Sequence, residues 1–265
     1  MGRTIVITSG KGGVGKTTCT ANIGVALALA GQKVAVVDAD IGLRNLDVVL
    51  GLEERISYNI VDVTEGKCRL KQAIIRDKRY PTLHLLPAAQ TKDKTAITPK
   101  EMRGVTEALG NMFDFVLIDC PAGIERGFQN AVAGAEEAIV VTTPEVSAVR
   151  DADRIIGLLD EVGLPSPMLV VNKVRAEMMR RGEMMDIEDV LDILDVPLVG
   201  IVPDERDIVV ASNRGDPVAG LENSQSGQAY RNIAKRLMGE ETPYLDLGGR
   251  PSLLQRFAGL FRATT

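Results

Sequence analysis

The chain is short of the residues on which several kinds of protein depend. It has no tryptophan, one histidine and three cysteines, and aromatic side chains make up only 3% of its 265 residues. His84 stands in the apolar run Leu83 to Leu86 with no second imidazole to share a metal, and reads as a packed or half-buried ring. Cys19, Cys68 and Cys120 show neither close pairing nor the C-x-x-C spacing typical of zinc and iron–sulfur sites, so free thiols are expected. No run approaches the roughly 20 apolar residues that cross a bilayer. Met1 leads straight into a strand-like segment without a charged-then-apolar leader, which gives an expectation of cytoplasmic residence unless some segment anchors the chain. Excess positive charge is missing too. A formal charge of −5 and a pI near 5.2 argue against nucleic acid as a main partner.

What is present suits one large α/β domain: 45% apolar and 25% charged residues on a chain long enough to bury a single core. Runs rich in Val and Ile at Thr4 to Thr8, Lys33 to Val37, Phe115 to Ile118, Ala138 to Thr142, Met168 to Val171 and Leu198 to Val202 predict strands. They lack apolar–polar alternation, as expected of parallel strands covered on both faces. Helical spacing fills the gaps between them, notably Thr17 to Ala30 closed by Gly31 and Ala148 to Val162 closed by Gly163. The apolar stretch Ala21 to Ala30 follows a strand and is far too short to span a membrane, so it reads as core. The alternation predicts a doubly wound, mostly parallel sheet of the P-loop NTPase type with helices on both faces and a ligand site beyond the strands' carboxyl ends. After Met238 the breakers Gly239, Pro243, Gly248, Gly249 and Pro251 interrupt the pattern. The expected division is a domain over 1–240, a linker over 241–250 and a terminal helix over 251–265.

Gly10-Lys11-Gly12-Gly13-Val14-Gly15-Lys16-Thr17 fits G-x-x-x-x-G-K-S/T and falls between a predicted strand and a predicted helix. Glycines allow a tight loop whose N–H groups converge on phosphate oxygens, and the helix turns its positive end on the same anion. Lys16 would bridge the β and γ phosphates of ATP, Thr17 would offer its hydroxyl to Mg²⁺, and Thr18 would join the phosphate-binding group. A plain phosphate loop has no need of Lys11. A second cation would help to neutralise a leaving group that one lysine and one Mg²⁺ leave uncompensated. Two predicted strands end in acids, the first in Asp38 and Asp40 and the second in Asp119. Carboxylates near Mg²⁺ stay ionised and orient water. Asp38 has the alternative reading of a helix N-cap, and Cys120 reads as a small buried residue.

Four segments together resemble the deviant Walker A ATPases of the MinD/ParA family, and within it the MinD branch. They are K-G-G-x-G-K-T at Lys11, D-x-D-x-G-L-R-N from Asp38 to Asn45, D-x-P-A-G from Asp119 to Gly123, and P-E-V-S-A-V-R-D from Pro144 to Asp151. The likeness extends over nearly the whole chain. It implies that Lys11 reaches across an ATP-bound homodimer to the partner's nucleotide and that Asp40 positions the attacking water and bears on Mg²⁺. By the same resemblance Asp119 holds the ion through its water shell and senses the γ-phosphate, while Glu145 contacts ribose across the dimer. Asn172, with Pro203 and Asp204, corresponds to the adenine pocket, although an asparagine closing a strand is also an ordinary turn residue. Asn45 and Asp151 are candidates for partner contact. The implied activity is Mg-dependent hydrolysis of ATP, with a MinC-like division inhibitor and a MinE-like activator as partners.

The end of the chain carries a separate signal. Leu253, Leu254, Phe257, Leu260 and Phe261 fall on one helical face, Arg250, Arg256 and Arg262 supply positive charge, and no acidic residue follows Asp246. Such a stripe fits either insertion into anionic lipid or packing on the protein's own core. The family resemblance favours membrane targeting, and implies the cytoplasmic face of the inner membrane. Other readings on the same loop are a MinD-related flagellar-number regulator and a ParA-type DNA segregation ATPase, the latter expected to carry a basic surface. An iron–sulfur carrier would need cysteines spaced to bridge subunits, and a tyrosine kinase would need a C-terminal tyrosine cluster where only Tyr230 and Tyr244 lie near the end.

Overall fold

The computed structural model describes residues 1–93 and 96–245. Eight strands form one sheet in the order β3-β4-β2-β5-β1-β6-β7-β8. In chain order they are β1 (Arg3–Thr8), β2 (Val34–Asp38), β3 (Ile75–Arg76), β4 (Leu83–Leu86), β5 (Phe115–Asp119), β6 (Glu137–Thr142), β7 (Met168–Val174) and β8 (Leu198–Pro203). All neighbours are parallel except β3 against β4. The six expected strands are present. The short edge pair β3–β4 goes beyond them, and it places His84 half-buried in β4 with its ring 5.0 Å from that of Phe113.

The connecting α-helices are α1 (Lys16–Leu29), α2 (Leu46–Val49), α3 (Ile60–Thr64), α4 (Leu70–Ala73), α5 (Pro99–Gly110), α6 (Arg126–Ala133), α7 (Val146–Glu161), α8 (Ala176–Arg180), α9 (Ile187–Leu194), α10 (Arg206–Asn213) and α11 (Gln225–Leu237). Gly31 and Gly163 take the left-handed conformation just past α1 and α7, both at φ 85°, as the sequence leads one to expect of a helix stop. Helix α7 begins two residues earlier than its spacing predicts, at Val146.

Alternate residues of each strand feed opposite faces, and both faces are covered, which explains the missing polar alternation. Val6, Val37, Ile118, Val140 and Val171 pack against α3, α5, α6, α7 and α9. Ile5, Ile7, Val36, Leu117 and Val170 pack against α1, α2, α10 and α11. Helix α1 packs on the central strands with α11 and α2 beside it, so Ile23, Val25 and Leu27 are all fully buried, and its uniformly apolar character is that of core. Among the described residues no helix is long and apolar enough to cross a membrane.

The first half of the expected linker lies against the body. Arg236 donates to the carbonyl of Thr242 and stacks 4.0 Å from the ring centroid of Tyr244, whose hydroxyl donates to Leu198 O at 2.7 Å. The remainder of that linker and the terminal helix, with Leu253, Leu254, Phe257, Leu260 and Phe261, lie outside the described residues.

Candidate nucleotide site

The central strands end together at one edge of the sheet, and the loop between β1 and α1 crosses that edge. Gly15 sits at φ 99° immediately before α1, and a Cβ there would collide with the Asn172 amide as well as being strained. That close approach is used: Asn172 Nδ2 donates to Val14 O at 2.8 Å, and Lys173 Nζ donates to Gly13 O at 2.7 Å. Both donors come from a register irregularity in β7 between Val171 and Val174, where Lys173 adopts φ 56°. With these two carbonyls held from outside, loop N–H groups remain for an anion. Gly12 and Gly13 are exposed at the loop's outer turn, while Thr17 and Thr18 are half-buried in the first turn of α1.

Lys16 is buried, and its ammonium donates to Ser9 Oγ at 3.0 Å; Ser9 in turn donates to Lys11 O at 2.8 Å. Lys11 points the other way. Its side chain is 42% exposed and meets Glu145 Oε2 at 3.4 Å and Ser147 Oγ at 3.1 Å. The two lysines of one loop therefore have different environments, one inside the fold and one at the surface beside Glu145.

Asp38 and Asp119 are direct partners in the β2–β5 register, and both are buried. Asp119 accepts from Thr20 Oγ1 at 3.1 Å and from the hydroxyl of Thr17, yet burial still pushes it up to about 6. Burial and the neighbouring Asp119 charge also hold Asp38 well above the usual carboxylate range. Asp40 lies half-buried just past β2, close enough for its charge to act on both acids. Cys120 is a buried thiol raised to about 12 by burial, as its small size suggests, and Cys19, Cys68 and Cys120 are all free.

On the far side of the loop, Asn172 is 3% exposed and its Oδ1 has no hydrogen-bond partner. A buried amide oxygen without a donor is costly, and an exocyclic amine of a base would satisfy it. Pro203 ends β8 and is buried; Asp204 is exposed, donates its N–H to Val174 O at 2.9 Å and pairs with Arg175 at 2.6 Å. Asn45 is exposed beside the Asp40 segment, and Asp151 is half-buried with its backbone pressed against Gly10. The structure thus gathers Lys11, Lys16, Thr17, Asp40, Asp119, Glu145 and Asn172 around one loop. Sequence reading missed Ser9, Thr20 and Lys173. Thr20, one turn beyond Lys16, had a usable helical spacing, whereas Ser9 and Lys173 gain their partners only from loop shape.

The donor set fits a nucleotide and a hard divalent cation, with loop amides and Lys16 for phosphate, the Thr17 hydroxyl as an oxygen ligand, and buried Asp119 behind it to accept from the ion's water shell. Residues 5–218 match the family described as the CobQ/CobB/MinD/ParA nucleotide binding domain. The chain is 56% identical over 245 residues to the septum site-determining protein MinD of Bacillus subtilis (strain 168), a match covering 92% of this chain and 91% of that protein. It is similar to the solved MinC:MinD cell division protein complex of Aquifex aeolicus, at TM-score 0.85 and 48% identity over 91% of this chain and 98% of that one. A similar fold is seen in the septum site-determining protein MinD complexed with Mg-ADP from Pyrococcus horikoshii OT3, at TM-score 0.81 and 34% identity over 89% and 96% of the two chains.

Proposed function

The chain belongs to the MinD branch of the CobQ/CobB/MinD/ParA nucleotide-binding family, and from that premise we propose that it is an ATP-switched ATPase that positions the division site. In this reading it dimerises with ATP, binds the cytoplasmic face of the inner membrane through residues 251–265, and recruits a MinC-like inhibitor until a MinE-like activator stimulates hydrolysis. One observation carries the proposal: a glycine loop braced from outside by Asn172 and Lys173 stands over a buried lysine and a buried aspartate. The MinC and Mg-ADP complexes of its relatives support the partner and the ligand.

The residues divide the work as follows. Loop N–H groups from Gly12 to Thr18 and the Lys16 ammonium bind the phosphates, and Asn172 with Pro203 and Asp204 receives the adenine. Thr17 and Asp40 would hold Mg²⁺, with Asp119 acting through its water shell, and the ion would supply positive charge against the negative charge developing on the phosphates. Asp40 orients the attacking water by position more than by basicity. Lys11 and Glu145, already at the surface, turn to the partner's nucleotide when two copies meet.

A terminal helix of a few turns binds lipid weakly alone. Two on one dimer bind far more strongly, because the second insertion is intramolecular. ATP would then govern membrane residence. Co-sedimentation with vesicles rich in anionic lipid tests this: the full chain should pellet with Mg-ATP and stay in the supernatant with Mg-ADP. Deleting 252–265, or Phe257→Glu, should abolish pelleting while nucleotide binding persists. ATP-dependent pelleting of either variant would overturn the membrane assignment.

A further inference from the structure

Asp38 is, among the described residues, one of the most deeply buried ionisable groups. Its surroundings are unusual. It is the last residue of β2, its register partner is the buried Asp119, and Asp40 stands two residues on. A buried carboxylate beside two others is unfavourable, so the hydrogen bonds it makes must be important to the local structure.

Those bonds bracket one loop. Asp38 Oδ1 accepts the N–H of Asp40 at 2.9 Å, and Oδ2 accepts the N–H of Leu46 at 3.2 Å. Asp40 opens the segment between β2 and α2, and Leu46 is the first residue of α2. Asn45, the residue preceding that helix, makes no side-chain cap, so the Asp38 carboxylate serves as the cap from eight residues away. Between the two anchor points the loop is closed on itself. Leu43 N and Arg44 N both donate to Asp40 O, Gly42 N donates to Ala89 O at 2.9 Å, and Arg44, left-handed at φ 46°, pairs with buried Asp47 at 2.8 Å. A single carboxylate therefore pins both ends of the loop that carries Asp40, and ties it to the strand beside Asp119.

We propose that Asp38 is a positioning residue for hydrolysis: by capping Asp40 N–H and Leu46 N–H together it fixes the loop that carries Asp40 relative to Asp119. The inference rests on the ATPase reading above and on the role given there to Asp40. The phosphate loop makes no hydrogen bond to Asp38, and its own braces come from Ser9, Asn172 and Lys173. Loss of the staple should thus reach the chemical step and spare nucleotide binding. A displacement of about 1 Å at a reacting group costs on the order of 10²-fold in rate.

The test compares kcat, KM for ATP and ADP affinity in Asp38→Ala, Asp38→Asn and Asp40→Ala. Asparagine keeps one acceptor oxygen but turns an N–H donor toward the other backbone N–H, so it restores half of the staple. Expected is a kcat that falls about tenfold or more in Asp38→Ala and less in Asp38→Asn, with KM and ADP affinity held within about threefold. Should the alanine variant not fold, the asparagine variant alone decides by the same split. An unchanged kcat, or kcat and nucleotide affinity falling together, would overturn the positioning role. If Asp40→Ala itself hydrolyses ATP at the native rate, the reading beneath the inference has failed instead.

Discussion

The two edges of the sheet are built on opposite electrostatic terms. At the amino edge, where β1 and β6 begin, Arg3 pairs with Glu137 at 2.7 Å with both side chains more than a third exposed, and the guanidinium also donates to Leu237 O. At the carboxyl edge Lys16, Asp38, Asp119 and Asn172 are all buried, and the amide oxygen of Asn172 has no hydrogen-bond partner. Exposed pairs contribute little to stability, while buried charges and orphaned amides subtract from it. The difference teaches that the carboxyl edge is arranged for a ligand that completes it, and the amino edge for the fold alone.

The largest effect should come from Lys16→Ala. Removing the only buried ammonium at the loop should weaken ATP binding by about 10²-fold, in line with the value of a charged hydrogen bond, and hydrolysis should fall to background. Titration calorimetry would measure it. Next, Asp40→Ala should keep ATP affinity and lose roughly 10²-fold in phosphate release, because the backbone cradle does not depend on that carboxylate. Release near the native rate would remove Asp40 from the mechanism.

The buried acids make a pH prediction with a definite sign. Asp119 is raised from 3.8 to about 6 by burial, so the folded state holds its proton more tightly than the unfolded chain does. Its charge therefore destabilises the nucleotide-free protein above about pH 6, and the penalty is relieved as pH falls through that value. Asp38, also raised, moves the same way. Asp119→Asn should melt a few degrees higher than the native chain near neutral pH, on the scale of about 2–4 °C per kcal/mol for this size. The gap should shrink at about pH 5. A gap independent of pH would contradict the assignment. The smallest effect belongs to the other edge, where Glu137→Gln should cost about 0.5 kcal/mol in urea unfolding and leave the ATPase rate unchanged.

Much of this was legible because it is local. The phosphate loop, six of the strands and the stops at Gly31 and Gly163 each declare themselves within a few residues. Strand β4 did not, since four residues containing a histidine carry too little periodicity, and the two residues of β3 carry none. Other features arise only on folding. Asp38 and Asp119 are 81 positions apart in sequence and become neighbours through β2–β5 pairing. The braces from Asn172 and Lys173 depend on an irregularity of β7 that no pattern of residue types signals. Asp38 illustrates the mixture: a capping role is readable from its place after a strand, but its target, Leu46, is not.

The central claim is that one loop carries two lysines that serve different subunits, Lys16 its own nucleotide and Lys11 the partner's. Molar mass by light scattering after size exclusion tests it most directly. The native chain should run as a dimer with Mg-ATP and a monomer with Mg-ADP, and Lys11→Ala should remain monomeric with Mg-ATP while still binding nucleotide. A Lys11→Ala dimer under saturating Mg-ATP, or a native chain that stays monomeric, would contradict it.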